Sequence, residues 1–157
     1  MLDLVPMSQP EYEKWRRSSI ASYAEENVAA GSWSREEAAA RSEKEFAELL
    51  PDGLATPGNH LLSVVRPDGA SPVGVVWFAV REDGGRRYAF VYDFLIFEEH
   101  RRKGHGTQAL LLLDGRVRAM GIDSISLHVF AHNAAARGLY EKAGYRETDV
   151  MMTKTLG

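Results

Sequence analysis

The segment Arg101-Arg102-Lys103-Gly104-His105-Gly106 gathers three cationic side chains and two glycines, a combination suited to holding an anion. Glycine lacks a Cβ, so at 104 and 106 the backbone can turn tightly and approach a ligand closely. If the turn opens a helix, its successive N–H groups form a concavity for negative charge, and Arg101, Arg102 and Lys103 add their own charge there. A phosphate-bearing ligand is the natural occupant; a solvated strand-to-helix turn is the plainer alternative. Gly104-x-Gly106-x-x-Ala109 also satisfies the dinucleotide-binding fingerprint. Three features count against an NAD-binding Rossmann-type domain. Glu98 to Lys103 separate the first glycine from its strand, Ala131-His132-Asn133 offers no acidic ribose ligand, and three basic residues exceed what a dinucleotide pyrophosphate needs.

Three further residues have side chains fit for proton transfer. Asp93 is the one charged residue in an apolar run, Tyr88 to Phe97, where burial would raise its pKa. His128 lies with Ser124 and Ser126 on the less apolar face of its strand, and an imidazole, titrating near ~6.5, accepts protons at neutral pH without special tuning. Tyr140 follows Asn133 by two turns of helix, so the two side chains point to nearly the same side. Leu139 and Ala143 would form the buried stripe, leaving Tyr140 at its edge, where a phenol can donate a proton. Each has a structural alternative: a hydrogen-bonded carboxylate, a satisfied core histidine, a packing tyrosine. His100, His105 and His132 flank turns and His60 is remote, so no metal-ligand spacing emerges and no metal is expected.

The elements that must position these residues are readable from periodicity. A short apolar segment, Leu2 to Val5, precedes a capping box at Ser8-Gln9-Pro10-Glu11, which opens a helix running to about Gly31. Ser34-Arg35-Glu36-Glu37 opens a second helix that ends at Pro51, and residues 51–59 form a loop. Leu61 to Val65 and Val73 to Val80 read as a hairpin around Arg66-Pro67-Asp68-Gly69. After the turn at Asp83-Gly84-Gly85, Tyr88 to Phe97 is apolar on both alternating sets, the mark of a central strand covered on both sides. A helix from Thr107 to Met120 presents Leu110, Leu113 and Val117 on one face, and Ile125, Leu127 and Val129 alternate in the next strand. Asn133 caps a short helix closed by Gly144, and Tyr145 to Leu156 reads as a final β segment. The expected fold is α/β (α+β): a mixed, mostly antiparallel sheet with one parallel β-α-β crossover of right-handed sense.

Two stretches now acquire a shared meaning. Arg101-x-x-Gly104-x-Gly106, between an apolar strand and a helix, resembles the pyrophosphate-binding motif of the GNAT superfamily of N-acetyltransferases. Asn133-Ala-Ala-Ala136-Arg-Gly-Leu139-Tyr140-Glu141-Lys142-Ala-Gly144-Tyr145 resembles the superfamily's other signature. The two lie in the right order and separation within residues 90–146; the N-terminal third fits the two helices after strand one but carries no diagnostic motif. The resemblance implies acetyl-CoA as cosubstrate and an amine as acceptor. It implies that the backbone of Phe94, Leu95 and Ile96 pairs with the pantetheine arm, and that N–H groups of Arg102, Lys103, Gly104, His105, Gly106 and Thr107 hold the pyrophosphate. Asn133 would bond the cofactor arm and Tyr140 would sit beside its sulfur. It places the acceptor among the first two helices, their connecting loop and the C-terminal β segment, near Trp15, Tyr23, Trp33, Glu25, Glu26, Glu36 and Glu37. An alkylammonium must lose its proton before attack, so a base is needed; relatives often carry glutamate where His128 stands, and His128 ranks ahead of Asp93. Relatives also often place an acidic residue near Leu95, which keeps a non-catalytic acyl-CoA-binding regulatory module as the alternative.

The bulk properties fit this reading. The 157 residues suit a single GNAT acetyltransferase domain, 1–157. A net charge of -3 gives no global basic field, so no nucleic-acid partner is expected. The absence of cysteine excludes a disulfide scaffold, a thiolate zinc site and a cysteine acyl-enzyme, so transfer is expected to run directly from donor to acceptor. The start of the chain lacks signal-peptide character, and no apolar run approaches the ~20 residues that span a bilayer. A cytoplasmic protein without a membrane partner is expected, acting on a small-molecule or peptide amine, with a homodimer left open.

Overall fold

The computed structural model describes residues 1–69 and 71–157. Strand β1 (Asp3–Pro6) leads into helix α1 (Gln9–Ala29), and α2 (Arg35–Leu49) follows. Both helices begin at the capping boxes legible in the sequence: the Glu11 amide donates to Ser8 Oγ at 3.2 Å while the Ser8 amide donates to Glu11 Oε1 at 2.8 Å. Ser34 and Glu37 repeat the exchange at 3.3 and 3.1 Å. Each box satisfies backbone donors that a helix start leaves unpaired.

Strands β2 (Asn59–Val65), β3 (Gly74–Asp83) and β4 (Arg86–Ile96) then run antiparallel in succession. Helix α3 (His105–Ala119) crosses back so that β5 (Ile125–Leu127) lies parallel to β4, and α4 (Ala134–Lys142) ends the regular structure. The sheet order is β1-β2-β3-β4-β5. This is the mixed, mostly antiparallel sheet expected, and its single parallel pair rules out the doubly wound parallel sheet of a Rossmann-type domain.

Both sheet faces are covered, as the apolar central strands require. On one face Leu4, Leu62, Val64, Val76, Phe78, Ala89 and Val91 pack with Leu110, Leu113 and Val117 of α3. On the other, Trp15 of α1 and Phe46 of α2 pack with Leu61, Val75 and Trp77. Alternate residues of β3 thus feed separate cores, the period of two expected of a strand.

Two features depart from the sequence reading. The β3–β4 register runs Trp77 to Asp93 but Phe78 to Val91, so Tyr92 is an extra residue in a β-bulge. Nothing in an alternating apolar run marks such a slip. The second is the C-terminus: Tyr145 to Leu156 forms no strand, and β5 stops before Val129. Val150, Met151, Met152 and Leu156 are instead 68%, 92%, 88% and 82% exposed. The segment has a strand's pattern, but a strand exists only against a neighbour, and within this chain β5 pairs with β4 alone among the described residues. For the same reason Ala143 is exposed and α4 has no fully buried residue, so the stripe expected through Leu139 and Ala143 is reduced to Leu139 and Tyr140 at the core's margin.

Candidate active site

A cleft of about 1690 Å³ runs along the C-terminal half of β4, between the α1/α2 layer and the start of α3 and α4. It is lined by Asp93, Phe94, Leu95, Ile96, the 101–107 turn apart from Lys103, His128, Asn133 and Tyr140. The glycine turn and the three proton-transfer candidates, scattered along the sequence, therefore border one space.

At one end lies the turn. Arg102 and Gly104 both take left-handed backbone, with φ of 63° and 78°. For glycine this conformation carries no steric penalty; for arginine it is uncommon and held by its surroundings. Gly104 is the N-cap of α3 and supplies no side-chain cap, which leaves the first N–H groups of the helix without side-chain acceptors. A Cβ on Gly106 would come within 3.2 Å of Leu139 Cδ2, so this glycine also lets α4 approach α3. Arg101, Arg102 and Lys103 are exposed, but the Arg101 Nε donates to the Ile96 carbonyl at 2.9 Å and braces the turn against β4. His105 is held toward its neutral form by burial and then by the charge of Lys103. A bare N-terminal helix turn beside exposed cations fits the pyrophosphate of acetyl-CoA in charge and in hydrogen-bonding capacity.

Asp93 occupies the middle of the cleft, one residue past the bulge. Its Oδ2 accepts from Trp15 Nε1 at 2.8 Å and from Ser19 Oγ at 2.9 Å. Burial pushes the carboxyl above its ordinary value, against the opposing pull of those donors and of the Phe94 amide. Trp15 and Ser19 are i, i+4 neighbours on α1, so one helix face delivers both donors. Sequence reasoning placed both on this helix without assigning them to Asp93; the available signal was that a lone carboxylate in an apolar strand must find donors on whatever packs over it.

Tyr140 approaches from α4, its ring 6.2 Å from Phe94 and 5.6 Å from Tyr145. Burial, and then the negative charge of Asp93, push its pKa up to about 12. The phenol is therefore a proton holder at neutral pH, and no described residue hydrogen-bonds its hydroxyl. Asn133 caps α4 as expected, its Oδ1 accepting from the Ala136 amide at 3.3 Å. That leaves its NH₂ group for another partner. His128 is exposed, edge-on to Phe130 at 5.1 Å, which removes the core-histidine alternative.

The acceptor side of the cleft is walled by aromatics. Tyr23 contacts Phe130 at 6.4 Å and Phe46 at 6.1 Å, and Tyr92 stacks on Trp77 at 4.6 Å. Of the acidic residues expected there, Glu26 borders the cleft and meets His132 at 2.7 Å. Glu25 pairs with Arg35 and Glu37 with Arg41 on the helix surface, away from it. Trp33 is buried behind Tyr23 at 5.3 Å. Among the lining residues that escaped the sequence reading are Glu45 on α2, whose charge reinforces burial in raising the Tyr23 pKa, and Arg81, stacked over Phe90 at 5.1 Å. No group of three or more potential metal ligands occurs among the described residues.

A mixed sheet bearing one parallel crossover, a glycine turn capping the crossover helix, and a tyrosine helix facing that turn define a class. Residues 12–145 match the Acetyltransferase (GNAT) family, and the chain belongs to it. It is an acyl-CoA-dependent N-acetyltransferase, and the family's general reaction moves an acetyl group from acetyl-CoA to an amine. Among its relatives, the uncharacterized N-acetyltransferase YycN of Bacillus subtilis (strain 168) is 44% identical over 98% of this chain and 97% of its own. The uncharacterized N-acetyltransferase YdgE of the same organism is 35% identical over the same shares. The crystal structure of YycN superposes with a TM-score of 0.95, covering 99% of both chains.

Proposed function

We propose that the cleft binds acetyl-CoA with its pyrophosphate on the N–H groups of residues 102–107, its pantetheine arm along Phe94, Leu95 and Ile96, and the Asn133 amide beside that arm. The carrying observation is that the turn, Asp93, His128 and Tyr140 line one continuous space. Bound there, acetyl-CoA supplies a thioester whose acetyl carbon is the electrophile. Tyr140, protonated at neutral pH, donates its phenolic proton toward the departing sulfur. His128, exposed on the acceptor side, takes the proton that the ammonium must lose, and Asp93 is the second candidate for that task. With no cysteine in the chain, transfer runs directly to the amine. The acceptor is a small-molecule or peptide amine, drawn by Glu26 and Glu45 and seated among Tyr23, Tyr92 and Phe130. The chain acts as one catalytic domain in the cytoplasm and engages neither nucleic acid nor membrane; among the described residues no helix is long and apolar enough to cross a bilayer. A second copy of the chain is the protein partner.

Release of free CoA thiol from acetyl-CoA over a panel of amines tests the reaction. Turnover is expected with at least one amine, and binding without turnover by any would mark a regulatory acyl-CoA module instead. Acetyl-CoA, but not NAD, should raise the melting temperature, because a ligand that binds the native state stabilises it. Gly104→Val should abolish that shift by forcing a β-branched residue into left-handed backbone.

A further inference from the structure

Arg81 borders the cleft with its charge unanswered. On β3, Trp77 packs under α1 and α2, and the period of two brings Arg81 to the same face. On β4, Tyr92 is the extra residue of the bulge, so Tyr92 and Asp93 are consecutive yet both border this cleft. The rings of Phe90 and Tyr92 meet at 61° with centroids 4.9 Å apart, and the Arg81 guanidinium carbon rests over both, at 5.1 and 5.8 Å. Such rings hold a guanidinium by its face, while its N–H donors lie in the plane and stay open at the edges. Among the described residues Arg81 makes no ion pair and no hydrogen bond; its contacts are these rings.

A planar fork pinned by its face is a receptor for carboxylate, which it meets with two parallel hydrogen bonds. We propose that Arg81 binds a carboxylate of the acceptor, so that the acceptor is an amine bearing a carboxylate rather than a simple amine or a polyamine. The inference rests on the acetyl-transfer reading above and narrows its acceptor. A polyamine would set a second cation against Arg81, and Glu26 is already engaged by His132 at 2.7 Å.

The spacing adds to the description. Four residues of strand carry β3 from Trp77, the partner of Asp93, to Arg81, about 13 Å at the usual rise. The guanidinium leans back over Phe90, the partner of Ala79, and so covers part of that span. What remains exceeds the distance from an α-amino group to its own carboxylate. An amine seated near Asp93 and Tyr140 therefore reaches Arg81 only when a chain of several atoms joins it to the carboxylate. An ω-amino acid and a short peptide with a free C-terminus both have this form, and the walls of Tyr23, Tyr92 and Phe130 suit the chain between the two charges.

The test is release of CoA thiol with two matched pairs: ω-aminohexanoate and its amide, and a tripeptide and its C-terminal amide. A diamine of the same chain length is included. Each pair differs by one negative charge. The acid should be favoured over its amide in at least one pair, by about tenfold or more in kcat/KM and mainly through KM, as expected of a hydrogen-bonded charge. The pair that shows it identifies the source of the carboxylate. Arg81→Met keeps an unbranched chain over the rings but removes the fork, so the ratio should fall to about one. Arg81→Lys, a charge without the fork, should recover only part of it. A merely structural role would lower acid and amide together and leave the ratio standing. Equal wild-type rates for acid and amide in both pairs, or a ratio that survives in Arg81→Met, would overturn the proposal. Turnover of the diamine with both acids inert would sink the carboxylate and leave acetyl transfer intact; no thiol release with any acceptor would overturn both. Should Arg81→Met fail to fold, the wild-type ratios decide.

Discussion

Replacing Tyr140 by Phe removes one oxygen from the cleft and leaves the ring contacts with Phe94 and Tyr145 in place. If that oxygen protonates the departing sulfur, kcat should fall by roughly 10²–10⁴-fold while the acetyl-CoA thermal shift persists. Because burial and Asp93 hold the phenol protonated up to about 12, the wild-type rate should show no alkaline decline from this group until the pH nears that value; steady-state profiles with two amines of different basicity separate it from acceptor ionisation. For the base, the geometry gives different signatures to the two candidates. His128 touches no hydrogen-bonding neighbour among the described residues, so His128→Ala should lower the rate without lowering the melting temperature. Asp93 ties α1 to β4 through Trp15 and Ser19, and its folded-state pKa lies above the ordinary carboxylate value. As pH falls the native state binds this proton before the unfolded chain does, so the group favours the native state toward acid, and that contribution is lost as pH rises through the folded-state value. Asp93→Asn should flatten this slope in urea unfolding from mildly acidic to neutral pH. A rate unchanged in His128→Ala and abolished in Asp93→Asn would exchange the two roles.

At the scale of elements, what was legible followed from local rules. The capping boxes at Ser8 and Ser34 and the stripe of Leu110, Leu113 and Val117 depend on residues within a turn or two of each other, and they fold as they read. Asn133 and Gly104 were legible for the same reason, as a cap and a turn. The Tyr92 bulge was not, because register is decided between strands and no window of one strand contains its partner. The donors to Asp93 and the site of Glu45 depend on how α1 and α2 lie over the sheet, which no short window contains. Gly74 shows the same limit. A Cβ there would collide with the Leu95 carbonyl oxygen and approach Ile96 Cδ1 to 2.9 Å, so the strand pairing that shapes the cleft floor requires glycine. Gly74→Ala should destabilise the fold by about 1–3 kcal/mol, the usual range for overpacking, and should weaken acetyl-CoA binding, measurable by urea titration and by the loss of the ligand-induced melting shift.

At the scale of the whole molecule, the C-terminal segment has a strand's pattern, but Tyr145 to Leu156 forms no strand, because a strand needs a neighbour and no window of sequence says whether one is present. The order of the strands has a consequence for biosynthesis. Because the sheet runs β1-β2-β3-β4-β5 in the order of the chain, no strand has to be threaded between two already paired. Each one emerging from the ribosome meets an edge that is already made, and the antiparallel pairs from β2 to β4 form between segments close in the chain, which favours rapid assembly. The late step is the closure of α3 over that growing sheet, where Arg116 donates to the Leu4 carbonyl at 2.7 Å across 112 positions of sequence. Until α3 leaves the exit tunnel, the face of the nascent sheet bearing Val64, Val76 and Phe78 stays open. That interval is when a holding chaperone would find this chain.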